Sequence, residues 1–415
     1  MANPLRPISI SLSPNVQEDD IRLAFSVSQS RDKWQAGPEI YELQEGFKKY
    51  LGVKQAYSFN SGRSSLMAIM KALDLPQGSQ VLLQALTCNA AVNPIRWAGC
   101  EPVYVDCDQN YNLAVQDLKK KITPQSRVVM VQHTFGLPAD IAEIKKICDE
   151  HNLILIEDCA HALGATYNGK LVGTFGKAAF FSLSRDKVIS CVYGGVAVTS
   201  DDDLAQKISK FQQECGYPDN DWIEQQLAHP ILMEKMVLPY YAVGGKLLLR
   251  YFQWSHVLSK AIHWKEKRGL APDYFPKRLP NALAILALNQ FKKLDKFNSH
   301  RQKIAHLYFE ALKGSMFVLP PTPEGRDQIF LRFTLRHDNA AKIIKKAWAQ
   351  NLLLGDWYRT PVDPFDTLPE TVGYKKGSGP NAESFAGKMI NLPTHINISE
   401  AEVNKIGRFV LKFDD

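Results

Sequence analysis

Six short apolar runs punctuate the first half of the chain: SQVLLQ (79–84), EPVYVD (101–106), RVVMVQ (127–132), LILIED (153–158), AAFFSL (178–183) and GVAVTS (195–200). They do not alternate polar and apolar residues, as a strand with one wet face would. A continuous run suits a strand covered on both sides, as in a mostly parallel sheet between layers of helices. The stretches between them are amphipathic; AEIKKICDEHN (142–152) sets Ile144, Ile147 and Cys148 on one face. The pattern predicts a doubly wound α/β domain, whose functional groups collect at the carboxyl ends of strands. Asp106, His133, Asp158 and Ser182 all fall at or just beyond such ends.

Composition narrows the classes. With 415 residues, 45% of them hydrophobic, the chain has enough core for more than one lobe. Its formal net charge of +7 is spread along the sequence, so no nucleic-acid surface is expected. Seven cysteines, an odd number with no C-x-x-C, argue against a disulfide framework or zinc site and fit a reducing cytoplasm. MANPLRPISISLSPN, at the N-terminus, has no apolar stretch of the signal-peptide kind. The sequence contains no G-x-G-x-x-G, P-loop or H-E-x-x-H, and its histidines lack ligand spacing, so no metal site is expected.

Four segments follow from these patterns: an N-terminal stretch (1–35), the large α/β domain (36–210), an aromatic and basic helical insertion (211–275), and a linking helix with a smaller α+β domain (276–415). The linking helix is expected as one long element from about residue 281, ALAILALNQFKKLDKFNSHRQKIAHLYFEALK. The last segment also holds an expected strand, IFLRFTLR (329–336), and a helix with Ile343, Ile344 and Trp348. In the insertion, residues 231–264 carry Glu234, Lys235, Lys246, Arg250 and Lys260 besides Pro239 and Gly244-Gly245, which excludes a membrane-spanning helix. Leu247, Leu248, Tyr251, Phe252, Trp254 and Leu258 outline an apolar face bordered by cations. Two readings fit: a helical hairpin packed on the protein or on a second copy, or a helix pair in peripheral contact with a membrane.

Lys187 follows the apolar strand of AAFFSLSRDKVIS (178–190), and Asp158 ends the strand of LILIEDCAHALGA (153–165). Pyridoxal 5'-phosphate (PLP) chemistry requires such a pair: an amine to hold the aldehyde and a carboxylate to keep the pyridine nitrogen protonated. Upstream, SFNSGRSSLMAIMKAL (58–73) opens a helix with a small polar turn, where backbone N–H groups and the helix dipole cradle an anion. Gly62 permits close approach, and Ser61, Ser64 and Ser65 add hydroxyls. Each piece also has an ordinary explanation: a helix cap at the serines, another at Asp158, a core histidine at His161, a surface lysine at Lys187. Their order, phosphate turn, acid, serine, lysine, then Gly194-Gly195, narrows the choice.

In that order the chain resembles the DegT/DnrJ/StrS family of PLP-dependent sugar aminotransferases, of the aspartate-aminotransferase fold type I. The resemblance rests on Ser61-Gly62-Arg63, Gly99 to Asp106 (GCEPVYVD), His133 to Asp140 (HTFGLPAD), Glu157 to Ala162 (EDCAHA), and Phe181-Ser182 through Lys187 to Gly194-Gly195. Gly164, Gly169-Lys170, Gly173, Arg278, Gln290 to Leu294, Pro380 to Glu383 and Asn391-Leu392-Pro393 extend it over nearly the whole chain except 217–275. It implies a seven-stranded-type sheet and catalysis by Lys187, which also holds the cofactor. Asp158 would face the pyridinium, His161 the ring's phenolic oxygen, and Ser182 with the Gly62, Arg63 and Ser64 turn the phosphate. Substrates would be an amino-acid donor, usually glutamate, and a nucleotide-linked keto-sugar; the assembly would be a homodimer in the cytoplasm.

The chain departs from the family pattern at four places. Cys88 stands where an aromatic commonly stacks on the cofactor. Arg63 replaces threonine, Val192-Tyr193 replaces glycine-glutamate, and Pro276-Lys277 replaces asparagine-tyrosine. Two alternatives stay open on these residues: a non-catalytic regulatory or scaffolding homologue, and a PLP-dependent sugar dehydratase, whose family members carry histidine at the lysine position.

Overall fold

The computed structural model describes residues 5–414. The six apolar runs form strands, and Gln55–Phe59 joins them as a seventh. In chain order these are β1 Gln55–Phe59, β2 Gln80–Gln84, β3 Glu101–Val105, β4 Ser126–Gln132, β5 Ile154–Asp158, β6 Ala178–Ser182 and β7 Gly195–Thr199. They build one sheet in the order β1-β7-β6-β5-β4-β2-β3. All run in one direction except β7, which is antiparallel to both β6 and β1. The reason lies in the connection from Ser182 to Gly195, which contains no crossover helix and turns straight back.

The sheet also explains why the runs are continuous. Neighbouring residues point to opposite faces, and each face has its own core. Val81, Leu83, Val128, Met130 and Ile156 pack with Leu66 and Ile69 of α1 (Gly62–Ala72) and Val92 and Ile95 of α2 (Asn89–Trp97). Leu82, Val129, Val131 and Leu155 pack the other way, onto Ile144, Ile147 and Cys148 of α3 (Ile141–Glu150). A polar residue at either set of positions would be desolvated without a partner, so no alternation survives.

In the insertion, α4 (Asn220–Leu232) is followed by irregular turns and then α5 (Lys246–Trp254). The chain kinks at Gly244, and at the next residue, Gly245, a Cβ would lie 2.1 Å from the Val237 carbonyl oxygen, so only glycine fits there. The expected single linking helix is two: α6 (Asn281–Phe291) and α7 (Leu294–Ala311). At the break, Lys293 leaves helical geometry (φ −103°, ψ 4°), and its ammonium reaches Asp19 at 2.8 Å and Asp20 at 3.2 Å. The break lets Leu283 and Leu286 serve the large core while Ile304 and Tyr308 serve a C-terminal one. That second core holds α8 (Ala340–Ala349) and the antiparallel pair β8 (Phe333–Arg336) and β9 (Met389–Leu392). The strand expected over 329–336 is therefore half as long. Its first part binds elsewhere, the Ile329 and Leu331 N–H groups donating to Gly136 and Phe135 carbonyls at 3.2 and 3.0 Å.

Candidate active site

The carboxyl ends of β4, β5 and β6 open into a cavity of about 240 Å³. Asp158, His161, Ser182 and Lys187 all line it, together with Gly62, Arg63 and Cys88. Of the residues expected to touch the cofactor, only Ser64 is turned away. Its hydroxyl donates to Asn60 Oδ1 at 2.7 Å, because it lies one helical turn along a helix that Ser61 already caps. The Ser61 side chain accepts from the Ser64 N–H at 3.0 Å, while Gly62 and Arg63, the first two residues of the helix, line the cavity.

Lys187 sits in a tight turn after β6, its N–H bonded to the Ser184 carbonyl at 3.1 Å. From behind, the Asn15 amide donates to the Lys187 carbonyl at 2.7 Å, and buried Arg301 donates to Asn15 Oδ1 at 3.0 Å. Burial pushes the Lys187 amine below its ordinary value, with neighbouring Asp186 pulling the other way. Asp158 is 4% exposed, and burial raises its carboxyl to about 6 despite the Ala160 N–H that bonds it at 3.0 Å. A carboxylate so placed has room for a cation on its cavity side.

Burial also holds His161 well below its usual range, with Lys187 and Arg332 adding to the effect, so the ring is neutral. Its Nδ1 accepts from the Phe135 N–H at 3.4 Å, which leaves Nε2–H as the donor. Phe135 stacks parallel to it, centroids 6.0 Å apart.

Cys88 caps α2, its sulfur accepting from the Ala90 N–H at 3.5 Å. Burial raises the thiol to about 11, so it is a neutral packing group. Trp357 and Tyr358, neither evident from sequence, supply aromatic wall in the same cavity.

Arg63 does not present a free charge to an incoming phosphate. Its Nε meets Glu266 at 2.7 Å, and its terminal nitrogen donates to the Ala261 carbonyl at 3.0 Å. One other departure, Tyr193, reaches the same stretch, as does Arg185. Tyr193 donates its hydroxyl to the Lys260 carbonyl at 2.6 Å and packs on Tyr274 and Phe275. Arg185 donates to the Ser259 carbonyl at 2.7 Å and to the Ser259 hydroxyl. Residues 259–266 thus form a strap fastened beside the cavity, and its Ala261 and Ile262 are part of the lining. The unusual side chains at 63 and 193 are its fastenings.

Sequence reasoning missed Asp186, Arg332 and Asn15. Arg332 reaches the cavity from the C-terminal segment, bonded to Asp186 at 2.7 Å and lying 3.5 Å over the Trp357 ring. The only hint was a charge inside the apolar run IFLRFTLR. His133, Glu157 and Cys159 also come together, within 4.8 Å of one another. Glu157 there accepts from the Gly173, Phe175 and Gly176 N–H groups at 2.7–2.8 Å and contacts His133, so its oxygens are already employed in holding the turn.

Comparison with known proteins agrees with this geometry. The model of the DegT/DnrJ/EryC1/StrS aminotransferase family matches residues 15–237 and 259–411. A GDP-perosamine synthase of Caulobacter vibrioides is 27% identical over 374 residues, covering 89% of this chain and 88% of the relative. A UDP-N-acetyl-3-dehydro-alpha-D-glucosamine 3-aminotransferase of Acidithiobacillus ferrooxidans is 26% identical, covering 86% and 84%. Among solved structures, Helicobacter pylori PseC, an aminotransferase involved in the biosynthesis of pseudoaminic acid, superposes with a TM-score of 0.76 at 21% identity, covering 98% and 99%. With the family model spanning most of its length and leaving only residues 238–258 unmatched between its two parts, the chain belongs to the DegT/DnrJ/EryC1/StrS aminotransferase family.

Proposed function

We propose that this aminotransferase moves an amino group from an amino acid, in the first instance L-glutamate, to the carbonyl carbon of a nucleotide-linked keto-sugar, using PLP. The donor leaves as its 2-keto acid and the acceptor as an amino-sugar. The observation that carries the reading is the placement of Lys187 and Asp158 on one cavity, each biased by burial toward its neutral form.

The residues present fit the cofactor. Gly62 approaches Ser182 so closely that a Cβ would stand 3.1 Å from the serine Cβ, which suits a phosphate cradle of backbone N–H groups and a hydroxyl. When bound, PLP supplies an electron sink for the donor's Cα–H bond. Lys187, its proton affinity lowered by burial, would hold an aldehyde and carry a proton at Nζ. Asp158 would accept a hydrogen bond from a protonated ring nitrogen, and His161 would donate Nε2–H toward a phenolic oxygen. Arg332 is placed to hold the donor's carboxylate, and Ala261 and Ile262 of the strap would add apolar surface to the space the substrates share. Lys187 itself weighs against the dehydratase reading, since family dehydratases carry histidine there.

Two GDP- and UDP-sugar enzymes among the relatives support the acceptor class. The family resemblance supports a homodimer. Seven free cysteines support a cytoplasmic setting, and no helix among the described residues is long and apolar enough to cross a membrane.

The test is the visible spectrum of the purified protein with PLP, before and after L-glutamate, beside Lys187→Ala. The expected result is a lysine-dependent band that glutamate bleaches. A band indifferent to glutamate would replace the donor; absence of any lysine-dependent band would give the regulatory reading the lead.

A further inference from the structure

The family match stops at Val237 and resumes at Ser259. The residues between carry a concentration of exposed apolar side chains: Tyr240, Val243, Leu247, Tyr251 and Trp254 are 56–78% exposed. The same stretch contains Lys246 and Arg250 and no aspartate or glutamate. α5 is anchored from within, Leu249 and Phe252 packing on a small cluster of Met233, Val237, Leu238 and Leu258. Its outer face is equally defined. At ~100° per residue, Lys246, Arg250, Trp254, Leu247 and Tyr251 share one arc of ~140°, with the cations at one edge and the apolar groups beside them. No residue of α5 is buried.

We propose that this face docks on an anionic membrane surface. Trp254, Leu247 and Tyr251 enter the headgroup layer, and Lys246 and Arg250 meet lipid phosphates. Large aromatic and aliphatic side chains flanked by cations are the composition of a helix lying in a bilayer interface, and anionic lipid attracts each such cation. A second copy fits less well. A two-fold contact would bring two copies of Lys246 and Arg250 into one interface, with no acid in the stretch to pair with them. In the chain α5 is followed closely by the strap at residues 259–266, whose Ala261 and Ile262 line the cavity. The inference is independent of the chemistry at Lys187.

Full-length protein is pelleted with dense vesicles of phosphatidylcholine alone, or of phosphatidylcholine with about one-third phosphatidylglycerol. The wild type is expected to pellet with the anionic vesicles and weakly with the neutral ones. Combined Leu247→Ser, Tyr251→Ser and Trp254→Ser should lower anionic binding at least about tenfold. Lys246→Glu with Arg250→Glu should remove the phosphatidylglycerol dependence. All five side chains are exposed, so unchanged melting temperatures verify that the variants fold. The proposal is overturned if the wild type ignores anionic vesicles, or if the serine variant binds them equally well. Light scattering covers the other occupant: a wild-type dimer that becomes monomeric in the serine variant, without vesicle binding, assigns the face to a second copy.

Discussion

The Nε of Arg63 lies 2.7 Å from the Glu266 carboxylate, with Arg63 9% exposed and Glu266 fully buried. One residue belongs to the turn that opens α1, the other to the strap that lends Ala261 and Ile262 to the cavity lining. The Arg63 Nε–H is not aligned on the oxygen, so this is a Coulomb contact without a formed hydrogen bond. Burial raises Glu266, and the guanidinium only partly restores it. Such a pair adds little net stability, yet breaking it from one side strands a charge. Glu266→Leu should therefore cost about 3 kcal/mol in urea unfolding, and adding Arg63→Met should recover most of it. A cost below about 1 kcal/mol for the single change would mean that other contacts hold the strap.

Asp158 gives the site a pH signature. Its folded-state value of about 6 lies above the ordinary carboxylate value, so without cofactor the fold favours the protonated form. That stabilising contribution is complete below about pH 4 and is lost as pH rises through 6. Wild type minus Asp158→Asn isolates it: the difference should fall by about 3 kcal/mol between pH 4 and 7, since each tenfold change in proton affinity is worth ~1.4 kcal/mol. Saturating PLP should abolish or reverse the trend, because a pyridinium then favours the ionised carboxylate. A difference flat with pH in cofactor-free protein would place Asp158 in a wetter setting than its burial indicates.

Arg332 offers a separable test of donor binding. Held by Asp186 at 2.7 Å and stacked on Trp357, it is positioned without depending on PLP. Arg332→Met should lower kcat/KM for the amino acid about 10- to 100-fold, the worth of one charge-assisted hydrogen bond. The cofactor band should keep its position and intensity. If the band is lost as well, Arg332 organises the cavity and does not serve the donor alone.

The parts of the fold that could be read from sequence were those set by burial on a short period. Runs such as RVVMVQ and LILIED needed two apolar faces, and β4 and β5 end within a residue of them. The site was readable for the same reason, since Asp158 and Ser182 occupy strand ends and Lys187 follows one of them closely. Direction was not readable: GVAVTS is as apolar as its neighbours, and only the missing crossover helix makes β7 antiparallel. The break at Lys293 depends on Asp19 and Asp20, far away in the chain. Ser64 was assigned from residue type, but Ser61 and Asn60 set its direction. The largest gap was the strap. Arg63 and Tyr193 read as departures near a cofactor because their partners, Glu266 and the Lys260 carbonyl, lie in the stretch the family resemblance did not cover.

The diglycine after the lysine turn leads to the last prediction. Gly195 begins β7 and pairs with Phe59 at the end of β1, so its backbone runs against the start of α1. A Cβ there would stand 2.4 Å from the Gly62 nitrogen and from the Ser61 carbonyl carbon. Those atoms are main chain and cannot rotate aside, so the overlap must be relieved by moving the helix start away from the sheet. The Gly62 and Arg63 N–H groups would move with it, out of register with Ser182. Gly195→Ala should thus destabilise the fold by about 3 kcal/mol and weaken PLP binding together. Gly52→Ala controls for generic loss of glycine: its φ is +70°, nothing lies within 4 Å of its Cβ position, and it is remote from the cavity lining. It should cost about 1 kcal/mol and leave PLP affinity unchanged. Fluorescence titration with PLP at a temperature where both variants are folded separates the two effects. Equal affinity for Gly195→Ala and wild type would show that the phosphate turn is not built on this contact.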